Sequence, residues 1–231
     1  MDTGRLTERE LAAMFDHTNL KAFADDDAMK KLCMEAREYG FAMVAINSVQ
    51  VSRCRAFLAG TPVHVGAAIS FPLGQTTIEA KVFETQDALK NGADEIDYVV
   101  NLTEVKNGNW DYVRREMESI VSVCRDAGAI SKVIFENCYL EKEEIRALAQ
   151  IAAAVRPDFI KTSTGFGTGG ALPEDVALMK ETVGPGVRVK AAGGIRDWEM
   201  CRKMIEAGAE RIGTSASIRI LEGFRAAQNM E

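Results

Sequence analysis

The sequence predicts an α/β fold, a single (β/α)8 TIM barrel over residues 1–231 with a short N-terminal helix. Three observations support this fold class: the chain has 231 residues, short apolar runs alternate with longer amphipathic ones, and no linker or change of composition divides it. Strands that alternate with helices favour a parallel sheet, and closed barrels of this type typically have about 250 residues. An open dinucleotide-binding sheet is disfavoured because no Gly-x-Gly-x-x-Gly motif follows the first strand.

Eight strands and eight helices follow one another along the chain. The predicted strands lie at 14–18, 41–46, 64–70, 95–101, 132–136, 159–163, 188–194 and 211–215. The predicted helices lie at 25–38, 49–59, 76–90, 109–127, 141–154, 173–183, 197–206 and 216–227. Pro173 begins one helix, followed by the acidic residues Glu174 and Asp175, which suit the helix dipole. Gly92 and Gly208 each follow a helix and precede a strand, as glycines that end helices do.

Composition and charge exclude several classes of function. The net charge of −6 and the lack of a basic tract argue against a nucleic-acid-binding protein. The longest apolar runs fall short of the length that spans a bilayer, so no membrane association is expected. Five cysteines share no Cys-x-x-Cys spacing and only two histidines accompany them, so no metal site is expected. This cysteine usage and the absence of an apolar leader predict reduced thiols in a cytoplasmic protein.

Side chains along a barrel strand alternate between the interior and the helix layer, so the apolar residues orient each strand. By this rule Asp97 points inward in EIDYVVN, Lys161 in FIKTS and Lys190 in RVKAAGG. On the first strand, MFDHT, Asp16 and Thr18 share one face. Active sites of these barrels lie at the C-terminal ends of the strands. The sequence therefore predicts a site in which two lysines and an aspartate converge, with a second aspartate nearby.

A purely structural role is the alternative for each inward charge, because buried lysines and aspartates are almost never unpaired. This alternative is weaker for three converging residues than for any one of them. It stays open for Asp16, since an aspartate at a strand end often only accepts backbone hydrogen bonds. Of the two histidines, His17 is expected to be a packed or capping residue. His64 stands at a strand start, at the end of the barrel away from the predicted site.

Two lysines and an aspartate are suited to amine catalysis. A lysine is a nucleophile only when neutral, and at its ordinary pKa near 10.4 roughly one in a thousand is neutral at pH 7. Burial and the second ammonium of Lys190 would both lower the pKa of Lys161. A neutral Lys161 could form a Schiff base whose iminium stabilises a carbanion on the adjacent carbon, as aldol cleavage requires. Asp97 could then transfer protons, directly or through water.

Glycine-rich segments follow the last three predicted strands, at 165–170, 191–196 and 212–217. Barrels of this class often bind phosphate at the loops after strands 7 and 8, through backbone N–H groups and a helix N-terminus. Tight turns are the alternative for any one of the segments, and 165–170 could also be a mobile lid. The candidate substrate-binding residues are Asp16, Thr18, Thr162, Gly165, Gly193, Gly194, Gly213, Ser215 and Ala216.

Seven short motifs, spread over nearly the whole chain, carry a resemblance to a known family. They are DHTNLK (16–21), FPLG (71–74), GADEIDYVVN (92–101), KVIFE (132–136), DFIKTSTGF (158–166), VKAAGGIR (189–196) and GTS (213–215). In these motifs the chain resembles the 2-deoxyribose-5-phosphate aldolases, Schiff-base aldolases with a (β/α)8 barrel. The resemblance implies that Lys161 forms the Schiff base, that Lys190 lowers the pKa of Lys161, and that Asp97 transfers protons.

The implied reaction is the reversible cleavage of 2-deoxy-D-ribose 5-phosphate to acetaldehyde and D-glyceraldehyde 3-phosphate. The resemblance further implies no metal or organic cofactor, a sugar phosphate and an aldehyde as the small-molecule partners, and a homo-oligomer, either dimer or tetramer.

The chain departs from the family pattern mainly in its loops. Ala45 stands where a cysteine is usual and Ser70 where a glycine is usual. In GTSAS, Ala216 lacks a hydroxyl that the family commonly has, and Ser217 carries a side chain where glycine is usual. Two alternatives therefore stay open. One is a related Schiff-base aldolase with a different sugar or aldehyde substrate, unphosphorylated ones included. The other is a barrel that binds a sugar phosphate without turning it over.

Overall fold

The computed structural model of the protein describes residues 3–229 and contains a closed barrel of eight parallel strands. Each strand pairs with the next in the chain, and the eighth pairs with the first through Phe15–Ile212, Asp16–Gly213 and His17–Thr214. The strands are β1 (Phe15–Thr18), β2 (Met43–Asn47), β3 (His64–Ile69), β4 (Glu95–Val99), β5 (Ile130–Ile134), β6 (Phe159–Lys161), β7 (Arg188–Ala192) and β8 (Arg211–Thr214). The predicted fold class is confirmed.

Helices surround the barrel, and every predicted helix is present. They are α1 (Glu8–Ala12), α2 (Asp26–Tyr39), α3 (Val51–Phe57), α4 (Ile78–Lys90), α5 (Leu102–Lys106), α6 (Trp110–Asp126), α7 (Lys142–Val155), α8 (Pro173–Val183), α9 (Trp198–Glu206) and α10 (Ser217–Gln228). Short 3-10 turns occur at Thr3–Arg5, Ser48–Gln50, Asn137–Tyr139 and Gly184–Gly186. The predicted short N-terminal helix is α1, which the side chains of Thr7 and Glu10 cap reciprocally. Helix α5 was not predicted from the sequence.

Side-chain caps explain where several helices begin. Asp25, Thr77 and Asp197 each accept a hydrogen bond from the backbone N–H three residues later, which satisfies a donor that the helix cannot. The Asn101 side chain does the same for α5, accepting from the N–H of Glu104. Helix α8 has Pro173 at its first turn, as its sequence predicted.

Strand β6 is shorter than the predicted 159–163, and a side chain takes part in the hydrogen bonding just beyond its last residue. After Lys161, the hydroxyl of Thr162 donates to the Ala192 carbonyl and accepts from the Ala192 N–H, both at 3.1 Å. A hydroxyl that takes up backbone groups in this way competes with regular strand pairing. The regular strand ends at Lys161. Strand β5 differs in the other direction, since it begins at Ile130, two residues before its predicted start.

The molecule has two buried regions, one apolar and one charged. Between strands and helices lies an apolar layer to which Ile96, Tyr98, Ile160 and Val189 contribute fully buried side chains. The barrel interior instead holds buried charged side chains, which alternate with those apolar residues along the strands. Within residues 3–229, no helix is both long and apolar enough to cross a membrane.

Candidate active site

Lys161 lies at the C-terminal end of β6, on the floor of a cavity of about 310 Å³. Its side chain is buried, and its Nζ donates to Oδ2 of Asp97 at 3.0 Å. Lys190 and Asp97 lie just below the cavity floor, and neither lines the cavity. Of the three predicted catalytic residues, Lys161 alone is thus placed to meet a bound molecule.

Asp97 is the centre around which the lysines gather. Its Oδ2 accepts from Lys190 Nζ at 2.6 Å as well as from Lys161, and its Oδ1 accepts from Lys132 Nζ at 2.6 Å. Burial alone would raise the pKa of this carboxyl, but the three ammonium groups outweigh burial and hold the pKa well below its usual range. Asp97 is therefore a carboxylate at neutral pH and is shared by three lysines.

A second row of charges lies beneath the first. Lys190 also forms an ion pair with Asp16, and Lys132 forms one with Glu95. Arg211 joins the two acids, since its Nε donates to Asp16 at 2.6 Å and its Nη2 donates to Glu95 at 2.7 Å. We call these residues the interior charge cluster; its members are Asp16, Glu95, Asp97, Lys132, Lys161, Lys190 and Arg211.

The cluster balances its charges without Lys161. Its three carboxylates face four lysine and arginine cations, and Glu95 also contacts His64 at 2.8 Å, so a positive charge on Lys161 is in excess. Burial is the largest influence on Lys161, and with Lys190 and Lys132 it outweighs Asp97 and lowers the pKa of Lys161 to about 8. At pH 7 about one Lys161 in ten is then neutral, against roughly one in a thousand for an ordinary lysine.

Sequence reasoning missed three members of this cluster: Glu95, Lys132 and Arg211. Glu95 could have been found, because it lies two residues before Asp97 and so shares its face of β4. Lys132 was assigned to a strand start, whereas β5 begins at Ile130 and places Lys132 in mid-strand. Its pKa is raised, because the attraction of Asp97, Glu95 and Asp16 exceeds the cost of burying it.

Most of the predicted substrate-binding residues meet at the cavity. Those that line it are Thr18, Gly165, Gly193, Gly194, Gly213 and Ser215. Asp16 and Thr162 do not line it, since Asp16 pairs with Lys190 and Arg211 below and Thr162 bonds to Ala192. Ala216 lines a neighbouring cavity of about 570 Å³ between the starts of α2 and α10.

Two cations at the cavity wall were not singled out from the sequence. Lys21 and Arg196 both line the cavity, beside Gly194 and Ser215. Lys21 stands in DHTNLK and Arg196 in VKAAGGIR, so the signal in the sequence was a positive charge within a strand-end or glycine-rich segment. We call the part of the cavity wall formed by these two cations with Gly193, Gly194 and Ser215 the positive rim.

Two glycines let the loop after β7 follow the cavity wall. Gly193 and Gly194 have φ angles of +85° and +77°, a region that favours glycine. The Gly193 carbonyl also accepts from the Ala171 N–H at 3.0 Å, and a Cβ at Gly170 would lie 2.3 Å from that carbonyl oxygen. The loops after β6 and β7 are therefore in direct backbone contact.

The segment 165–170 is anchored at both ends. Before it, the buried Glu136 carboxylate accepts from the backbone N–H of Thr164 at 3.1 Å and from the Thr164 hydroxyl. After it, Ala171 bonds to Gly193. Phe166 within it contacts Phe71 edge to face, with ring centroids 5.4 Å apart. These contacts hold the segment against the barrel, where its residues Gly165 and Phe166 line the cavity.

Across residues 3–229, no group of three or more histidine, cysteine, aspartate or glutamate side chains is arranged to hold a metal ion.

The chain is similar in sequence and in fold to known aldolases. The sequence model for "DeoC/LacD family aldolase" matches residues 11–224. A deoxyribose-phosphate aldolase from Lactobacillus acidophilus is 55% identical over 96% of this chain and 93% of its own length. One from Bacteroides thetaiotaomicron is 53% identical over 95% of this chain and 92% of its own length. The structure of a tetrameric deoxyribose phosphate aldolase from Aeropyrum pernix superposes with a TM-score of 0.90 at 33% identity, covering 97% of this chain and 95% of that one.

The charge balance predicts the effect of removing Lys132. In Lys132→Met, Lys161 loses a positive neighbour, and Asp97 loses one of the three ammonium groups that share its charge. Asp97 then stabilises the protonated form of Lys161 more strongly, so the pKa of Lys161 rises above 8. Borohydride trapping of a small aldehyde on Lys161 at pH 7 should therefore slow, by about tenfold for each unit by which the pKa of Lys161 rises. Mass spectrometry of the peptide that contains Lys161 measures the trapping rate against pH.

The matched control is Lys106→Met, which removes a half-exposed lysine paired with Glu144. It should leave the pH dependence of trapping unchanged. A Lys132→Met enzyme that folds, by circular dichroism, and traps aldehyde with the unsubstituted pH profile would contradict this role for the cluster.

Proposed function

The chain belongs to the DeoC/LacD family of aldolases, and we propose that it reversibly cleaves 2-deoxy-D-ribose 5-phosphate to acetaldehyde and D-glyceraldehyde 3-phosphate through a Schiff base on Lys161. One observation carries the proposal. Within the interior charge cluster, Lys161 has a positive charge in excess and a lowered pKa, and it is also the member that lines the cavity. The enzyme class is aldehyde-lyase, as in the relatives that share about half of its residues.

The reaction begins with the neutral amine. Lys161 Nζ adds to the C1 aldehyde of the open-chain sugar, and loss of water leaves an iminium ion. The C3 hydroxyl gives up its proton, the C2–C3 bond breaks, and D-glyceraldehyde 3-phosphate leaves. The electron pair of that bond moves into the iminium and forms an enamine. Protonation at C2 and hydrolysis then release acetaldehyde and restore Lys161.

Proton transfer falls to the groups nearest the nitrogen. Asp97 Oδ2 is shared between Lys161 and Lys190, at 3.0 Å and 2.6 Å, so it connects the reacting amine to a second ammonium. A carboxylate whose pKa is held this low does not keep a proton at neutral pH. We therefore assign Asp97 as the proton relay, directly or through water, with Lys190 as the proton store behind it.

The phosphate is proposed to bind at the positive rim of the cavity. Gly193, Gly194 and Ser215 line the cavity there, and Lys21 and Arg196 add positive charge. Backbone N–H groups near a helix start, together with cations, are suited to a phosphate. Asp16 and Thr162 support this site from below and do not touch the substrate in this proposal.

A homo-oligomer is proposed from the surface of the barrel. Four large apolar side chains on the β1 to α4 side are mostly exposed: Phe23, Val49, Leu73 and Phe83. Exposed apolar side chains of this kind are typical of surfaces that bind another protein. Light scattering should give a mass at least twice that of one 25.2 kDa chain. A mass of one chain at micromolar concentration would contradict it.

We also propose that the protein works in the cytoplasm on small molecules. All five cysteines are free, four of them buried, which suits a reducing compartment. The net charge of −6 disfavours a nucleic acid as partner. Secretion in an oxidised, disulfide-bonded form, detected by thiol counting of the native protein, would contradict this location.

Trapping tests the proposed chemistry. Borohydride added during turnover of deoxyribose 5-phosphate should leave an adduct on the peptide containing Lys161, and Lys161→Met should cut cleavage to about one ten-thousandth or less. Lys106→Met serves as the control for loss of a lysine, and its activity should be unchanged. An adduct on another lysine, or full activity in Lys161→Met, would refute the mechanism.

The same assay with unphosphorylated deoxyribose separates the alternatives. Two charge-assisted hydrogen bonds to phosphate should favour the phosphorylated sugar by about a hundredfold or more in kcat/KM. Equal values for the two sugars would favour an aldolase with an unphosphorylated substrate. Tight binding of the sugar phosphate without any cleavage would favour a binding protein.

A further inference from the structure

A polar chain outside the catalytic cluster joins β1 to two helices. His17 and Ser217 in it are buried, and the side chain of Glu35 is 25% exposed. His17 lies on β1, on the face opposite to Asp16, and its ring packs against Phe41 with centroids 5.1 Å apart. Its Nε2 is 2.8 Å from Oε2 of Glu35 on α2, and its Nδ1 is 3.1 Å from Oγ of Ser217 at the start of α10. None of these three side chains has a part in the chemistry described above.

The hydrogens of this chain can be placed from its chemistry. Burial outweighs the influence of Glu35 and lowers the pKa of His17, so the ring is neutral at pH 7 and carries one N–H. The Glu35 carboxylate only accepts hydrogen bonds, so that N–H lies on Nε2. Nδ1 is then an acceptor for the Ser217 hydroxyl at 3.1 Å, and the other acceptor within reach of that hydroxyl is the Thr214 carbonyl at 3.3 Å. By fixing the tautomer of His17, Glu35 makes the nearer of these two acceptors available to Ser217.

Ser217 holds the connection between β8 and α10 on the side away from the cavity, which we call its back; the side towards the cavity is its front. At the front of this connection, the Thr214 hydroxyl donates to the Ile195 carbonyl at 2.7 Å and accepts from the Ala216 N–H at 2.9 Å. At the back, Ser217 is fully buried and its hydroxyl contacts His17. Ser215 lies between these two anchors and lines the cavity, whereas Ser217 does not.

We propose that Glu35, His17 and Ser217 form a positioning relay that fixes Ser215 and the start of α10 for the phosphate of the substrate. The inference rests on the proposed function, because it requires that the phosphate binds at this rim. The three residues do not touch the substrate. They act through the backbone that presents Ser215, in a chain whose position 216 is an alanine and offers no hydroxyl of its own.

The relay makes substrate affinity depend on a hydroxyl that lies outside the cavity. In Ser217→Ala, the back anchor is lost while the cavity lining keeps its chemical groups. KM for deoxyribose 5-phosphate should rise about fivefold, the effect of one misplaced neutral hydrogen bond, with kcat within about twofold. Cleavage of unphosphorylated deoxyribose should keep its kcat/KM, because that sugar makes no contact with the rim.

A pair of substitutions at Glu35 tests the relay at its far end. Glu35→Gln keeps an oxygen that accepts from His17 Nε2, so KM for the phosphorylated sugar should stay close to that of the unsubstituted enzyme. Glu35→Ala removes that acceptor and frees the tautomer of His17, so it should raise KM as Ser217→Ala does. This pair decides the matter should Ser217→Ala fail to fold by circular dichroism.

The outcomes separate this inference from the proposed function. An unsubstituted enzyme with no preference for the phosphorylated sugar overturns the phosphate assignment, and the relay with it. If both Ser217→Ala and Glu35→Ala keep the normal preference for the phosphorylated sugar, the relay is overturned and the phosphate assignment stands. An equal loss on both sugars also overturns it, since that result is what general destabilisation would give. A rise in KM confined to the phosphorylated sugar, rescued in Glu35→Gln, supports it.

Discussion

The central constraint in this protein is the pairing of buried charges inside the barrel. Removing an ammonium or a carboxylate from water costs several kcal/mol, so each buried charge needs a partner. Asp16, Glu95 and Asp97 supply three negative charges, and Lys132, Lys190 and Arg211 neutralise them. Lys161 is the fourth cation, and its proton is the one that the cluster retains least firmly.

The residues that set the pKa of Lys161 are separate from the residues proposed to bind substrate. The charges that set the reactivity of Lys161 lie below the cavity floor, held by strands, while the groups proposed to bind substrate lie above it, on loops. The loops are in turn anchored to one another and to the barrel, Thr164 by Glu136 and the α10 start by Ser217 and His17. The loop sequence can therefore vary without disturbing the pKa of the amine.

Much of this could be predicted from the sequence, because strand periodicity is a local signal. Alternation along three strands placed Asp97, Lys161 and Lys190 in one interior, and the structure brings them within hydrogen-bonding distance. The pairing of Lys132 with Asp97 depends on the register of β4 against β5, which no local pattern specifies. The partners of His17, 18 and 200 residues away in sequence, depend likewise on how helices pack on the barrel.

The most direct test of the charge-balance account is the pKa of Lys161 in the free enzyme. In protein carrying lysine labelled with carbon-13 at Cε, the Lys161 signal can be assigned by its loss in Lys161→Met and followed by NMR against pH. The account predicts a midpoint at about 8. A midpoint near the ordinary lysine value of about 10.4 would show that the cluster does not leave Lys161 as its surplus charge, and would contradict the account.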